Sequence, residues 1–96
     1  MAKRTKRPRS EVRLVSYTAD GSVFERLQIS YDQYYGGGTA ALDSDEFRSE
    51  HGIRRLTGEI FNSKGELQQS FDNSYGENGE YVRSRIVNAD GTVFED

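Results

Sequence analysis

Few residues in this chain have the chemistry to act as catalysts or ligands. His51 is the only histidine and there is no cysteine, so the thiolate and imidazole sets that hold zinc cannot be assembled. His51 closes the stretch "DEFRSEHG", where a cation interacts favourably with a helix C-terminus. We therefore read it as a capping or simply exposed residue. Serines and aspartates are plentiful, but no G-x-S-x-G elbow arms a nucleophile. "DNSYGENGE" (72–80) mixes oxygen ligands with glycines, yet lacks the D-x-[DN]-x-[DN]-G spacing and final glutamate of a calcium loop. "GGGT" (36–39) has no following lysine to make a phosphate loop, and no βαβ unit surrounds it. Asp43, Asp45, Glu46 and Glu50 crowd one short segment. A glycosidase pair must face across a substrate-sized cleft, which a domain this small with one short helix does not offer. The expectation is a non-enzymatic protein with no metal and no cofactor.

Binding chemistry is better represented. Tyr31, Tyr34 and Tyr35 precede three glycines. Tyrosine contributes large amphipathic contact area at low entropic cost, so these rings either complete a thin core or form a contact loop. With Asp45 and Glu46 nearby in sequence, they make the expected partner-binding surface. A second candidate is the N-terminal run "KRTKRPR", where Lys3, Arg4, Lys6, Arg7 and Arg9 could neutralise phosphates. Charge is split along the chain: residues 1–13 carry +5 and residues 14–96 carry −8, giving −3 in all. A polyanion drawn to the arm would meet an acidic body. The run is expected to be a disordered arm over residues 1–10, ahead of one domain over residues 11–96.

The elements that must position these residues announce themselves through turns. Asp20-Gly21, Asn78-Gly79 and Asp90-Gly91 are type I′ hairpin signals. "NSKG" (62–65) suits a three-residue loop with Gly65 in a left-handed bulge position. The first turn pairs Leu14 with Leu27 and Val12 with Ile29 on one face, and Tyr17 with Phe24, Val15 with Arg26 and Arg13 with Gln28 on the other. The later turns are expected to set Thr57 against Phe71, Phe71 against Ile86, Tyr75 against Val82, Asp72 against Arg85 and Val87 against Phe94. Between the first hairpin and Ile53, "ALDSDEFRSEHG" reads as one short helix, capped by Asp43 or Ser44 and closed by Gly52. Leu42, Phe47 and Ile53 would touch the core. "ADGSVFE" (19–25) and "ADGTVFE" (89–95) agree at six of seven positions. A duplicated unit would leave this mark, but convergence on one good turn followed by a strand is the reading preferred, since the segments upstream of the two turns align poorly.

Leu, Ile, Val and Phe make up 20 of 96 residues, just above the roughly 20% that separates lean folded chains from disordered ones. The fold class expected is mainly β: a small antiparallel meander of about six strands, either a curved sheet or a small barrel, with one short helix after the first hairpin. No apolar run reaches the roughly 18 residues that span a membrane, so the expected setting is cytoplasmic, or nuclear in a eukaryote. The functional expectation is a protein–protein interaction module: a small regulator, inhibitor or adaptor of a larger protein. Nucleic-acid binding through the arm is the alternative.

Overall fold

The structure is a computed structural model that describes residues 10–34 and 40–96. Six strands form one antiparallel sheet: β1 (Glu11–Thr18), β2 (Val23–Ser30), β3 (Ile53–Phe61), β4 (Leu67–Tyr75), β5 (Tyr81–Asn88) and β6 (Val93–Glu95). Their order is β2-β1-β3-β4-β5-β6, so the sheet is open, with β2 and β6 as its edges. The chain is a meander except at its start, where β2 folds outward and leaves β1 to pair with β3. The return from β2 to β3 therefore passes over β1, and it carries the helices. These are α1 (Tyr31–Gln33), a 3-10 turn (Ala40–Asp43) and α2 (Asp45–His51). No helix among the described residues is long and apolar enough to cross a membrane.

All four hairpins use one turn. Gly21, Gly65, Gly79 and Gly91 adopt φ between 78° and 88°, while no other described residue type has positive φ. The glycine N–H donates to the carbonyl three residues back (Gly21 to Thr18, 2.9 Å), and the loop closes one residue later (Thr18 N–H to Ser22 O, 2.9 Å). This is a type I turn with a glycine bulge, as "NSKG" suggested. The type I′ geometry expected for the Asp-Gly and Asn-Gly turns is incorrect, because it needs positive φ at Asp20, Asn78 and Asp90 as well.

The different loop corrects the register. In β1–β2, Tyr17 opposes Val23 rather than Phe24; Phe24 is bulged, and beyond it the expected pairs Leu14↔Leu27 and Val12↔Ile29 are restored. Bulged Val82 has the same effect in β4–β5: Tyr75 meets Tyr81 instead of Val82, while Phe71↔Ile86 and Asp72↔Arg85 stand as expected. In β3–β4 the extra residue is Gln68, which sets Phe71 against Gly58 rather than Thr57. The short β6 has no compensating bulge. Val87 therefore meets Val93, and Phe94 moves to the other face opposite Ile86, since a one-residue slip exchanges faces.

One face carries the core. Val12, Leu14, Leu56, Ile60 and Tyr75 are buried there with Leu42 and Ile53, and Leu27, Ile29, Tyr34, Phe47 and Phe71 pack around them. Ser44 caps α2 by accepting from Phe47 N–H, and Gly52 ends it in the left-handed conformation at φ 67°. Phe71 lies over Gly58, where a Cβ would overlap its ring. No helix covers the opposite face among the described residues; it carries Arg13, Arg26, Arg55, Arg83 and Arg85, with Arg13 in register with Glu59 and Arg85 with Asp72 and Glu95.

Candidate interaction surfaces

Helix α2 is held in place by a residue the sequence reading passed over. Arg48 is fully buried. Its Nε and Nη2 donate to Gly79 O at 2.9 and 2.7 Å, Nη1 donates to Leu42 O at 2.6 Å, and Nη2 reaches Asp45 Oδ1 at 2.5 Å. The guanidinium sits 4.2 Å from the Tyr75 ring centroid and 4.9 Å from that of Tyr81. A planar fork with weak hydration suits this role, whereas an ammonium could not serve the same carbonyls together. Burial pushes the Tyr75 hydroxyl up from its ordinary value, so it stays protonated. Gly79 fits closely beneath α2, where any side chain would overlap the Asp45 backbone. The available signal was the lone arginine on the Phe47 side of an otherwise acidic helix.

This clamp covers only part of the helix-bearing face. Toward β6 the face continues as a row of three apolar residues on adjacent strands, Phe71, Ile86 and Phe94. The rows on either side are polar: Gln69 Nε2 donates to Asn88 Oδ1 at 3.0 Å, and Ser84 Oγ donates to Asn73 Oδ1 at 2.7 Å, with Asp96 beyond Ser84 on the β6 side. Tyr34 borders the strip and lines a groove with Ile60, Phe71 and Ile86. Phe94 and Val82 are each 65% exposed, and Tyr81 is 56% exposed. Exposed apolar side chains gathered in one region mark an interaction surface more often than scattered ones do.

On the opposite face, charges neutralise one another. Arg13 pairs with Glu11 at 2.9 Å, Arg55 makes a two-pronged contact with Asp72 at 3.0 and 2.7 Å, and Glu95 serves both Arg83 and Arg85. Hydrogen bonds from Gln28 and Arg13 hold the Glu11 carboxyl below its ordinary range, and the Arg83 contact does the same for Glu95. Five arginines face four carboxylates here, while the other described residues hold three cations against twelve carboxylates. The acidity of the body therefore lies away from this face.

The residues singled out from sequence do not form one surface. Tyr31 donates its N–H to Ser10 O at the end of the sheet where β1 begins. Asp45 lies at the other end, against the Gly79 turn, with its carboxylate on Arg48. Glu46 is exposed beside it. Tyr34 reaches the β4–β5 groove, while Tyr35, the three glycines and the basic residues Lys3, Arg4, Lys6, Arg7 and Arg9 lie outside the described residues. His51 stacks on Phe47 with ring centroids 4.2 Å apart, and its Nδ1 lies 3.0 Å from Phe47 O. Residues of "DNSYGENGE" build the end of β4 and its turn, where Glu80 accepts from Asn78 N–H at 3.0 Å. No group of three or more His, Asp or Glu among the described residues could hold a metal ion.

No family profile, curated protein or solved structure matches the chain.

Proposed function

We propose that this chain is a non-enzymatic protein–protein interaction module, a small regulator, inhibitor or adaptor that docks a larger protein on the bare half of its helix-bearing face. One observation carries the reading: the row Phe71–Ile86–Phe94 extends the core outward to an exposed Phe94 with no helix over it among the described residues, and Asp96, at the β6 end of one flanking row, is the only charged side chain in the two flanking rows. Interface centres have this composition, apolar and aromatic with charged residues displaced to the rim. Tyr34 flanks the row on one side, and Tyr81 and Val82 extend it toward the α2 end. Affinity capture from the native host tests the proposal. Phe94→Ser and Tyr34→Ala should each lose the captured partner, whereas reversing the charge at Glu46 should not. A partner retained by both Phe94→Ser and Tyr34→Ala would place the contact elsewhere. Nucleic-acid binding through Lys3, Arg4, Lys6, Arg7 and Arg9 gains little support from the sheet, because four of the five arginines on the face opposite the helices are paired with carboxylates.

A further inference from the structure

The two edges of the sheet are complementary to each other, and we propose that copies of this chain associate edge to edge, β6 of one against β2 of the next. This inference rests on the backbone groups and charges of the sheet edges and shares only Phe94 with the partner surface proposed above. Backbone polarity is the first argument. Asp96 exchanges hydrogen bonds with Ser84, and Asn88 N–H donates to Thr92 O, so alternate residues Thr92, Phe94 and Asp96 bond inward to β5. That leaves the N–H and C=O groups of Val93 and Glu95 pointing outward. At the other edge Tyr31 N–H bonds inward to Ser10 O, so Arg26, Gln28 and Ser30 point outward, and the Ser30 N–H is already taken by Gln33 Oε1 at 3.1 Å. Two residues on each edge therefore have free backbone groups, Arg26 and Gln28 on one and Val93 and Glu95 on the other.

Direction and charge then select the pairing. In a sheet of six alternating strands, the two edge strands run in opposite directions. A second copy placed beside β6 in the same orientation offers its β2 antiparallel, with both helix-bearing faces on one side. The register that matches free groups puts Arg26 opposite the second copy's Glu95 and Gln28 opposite its Val93, which allows four backbone hydrogen bonds. Between them Leu27 meets Phe94 on the helix-bearing face, extending the apolar row. Arg26 has no ion-pair partner among the described residues, and in this register it faces a carboxylate. Edges of the same kind match less well. The two-fold β2 contact that matches free groups is centred on Leu27 and sets Arg26 opposite Gln28, and the corresponding β6 contact is centred on Phe94 and sets Val93 opposite Glu95, so neither gives Arg26 a carboxylate. The contact is heterologous and does not close on itself, so it builds linear assemblies that grow by six strands per copy.

Sedimentation over a wide concentration range, with proline-blocked edges, tests this directly. Gln28→Pro removes an outward N–H from β2 and Val93→Pro removes one from β6, positions where an edge strand tolerates proline. The wild-type chain should gain mass progressively with concentration. Each blocked variant should remain monomeric, and an equimolar mixture of the two should stop at a dimer, because one good edge of each kind survives. Circular dichroism matching wild type confirms that each variant is folded. Charge exchange gives a route that does not depend on proline: Arg26→Glu or Glu95→Arg alone should weaken association roughly three- to tenfold, and the two together should restore it. A wild-type chain that stays monomeric to millimolar concentration, a blocked variant that dimerises alone, or a mixture that fails to pair would overturn the proposal.

Discussion

The first and last hairpins contain nearly the same seven residues, "ADGSVFE" and "ADGTVFE", and fold the same turn. In each, the aspartate carboxylate accepts from the residue after the glycine, Asp20 from Ser22 N–H at 3.0 Å and Asp90 from Thr92 N–H at 2.9 Å. Their surroundings then diverge. Phe24 is bulged and lies against α2, with its ring centroid 6.4 Å from Phe47 and 5.4 Å from His51. Phe94 stays in the ladder with no ring beside it among the described residues. Local sequence determines the turn, and a helix from elsewhere in the chain determines whether the strand that follows is covered. One hairpin has become part of the folded core, and the other remains a surface on which something else can act.

The most disruptive way to break this comparison is to release the helix. Arg48→Ala leaves the Gly79 and Leu42 carbonyls buried without donors and opens a cavity beside Tyr75, which should cost about 2–4 kcal/mol in denaturant unfolding. Arg48→Lys should recover little of that loss. A variant as stable as wild type would show that α2 is not fastened through Arg48.

A smaller effect is expected where the covered and bare halves meet. Gly58→Ala forces the Phe71 ring off the backbone it rests on, a change of about 1–3 kcal/mol for overpacking a close contact. Equal unfolding midpoints for this variant and wild type would mean that Phe71 moves aside freely.

The two phenylalanines compare the hairpins directly. Phe24→Ala should cost about 1 kcal/mol through loss of its contacts with Phe47 and His51, while Phe94→Ala should remain within about 0.5 kcal/mol of wild type. Matching losses at the two positions would mean that the hairpins are equivalent after all.

The smallest effect depends on pH. Hydrogen bonds from the Ser22 and Thr18 side chains lower the Asp20 carboxyl from its ordinary 3.8 to about 2, and Thr92 lowers Asp90 in the same way. A depressed carboxyl stabilises the fold above its unfolded value, and the contribution disappears as pH falls through the folded value. The difference in melting temperature between wild type and Asp20→Asn should hold from pH 7 to about pH 5 and close between about pH 4 and pH 2. A gap that persists unchanged at pH 2 would remove the carboxylate from the account.

Much of the fold is legible in the residues. Gly21, Gly65, Gly79 and Gly91 mark all four turns, alternation in β1 identifies the buried row, and Ser44 and Gly52 bound α2 within a residue. What escaped depends on events that no single hairpin encodes. Asp20-Gly21 makes β1 and β2 neighbours but says nothing about which of them meets β3. Whether a bulge follows the turn is decided by the partner strand and its cover, so Phe24 and Phe94 part ways with identical neighbours. Arg48 was invisible because a buried guanidinium requires carbonyls from two distant segments, Leu42 and Gly79. The tyrosines and acids of residues 31–50 looked like one surface because they are close in sequence, yet the sheet places Tyr31 and Asp45 at opposite ends.

The claim that the bare half of the helix-bearing face is the working surface is tested most directly by measuring stability and capture together on Phe94→Ser. Because that ring is 65% exposed, the account predicts an unfolding free energy within about 0.5 kcal/mol of wild type, with loss of the partner captured from the native host. A variant that unfolds like wild type and still captures its partner in full would contradict it.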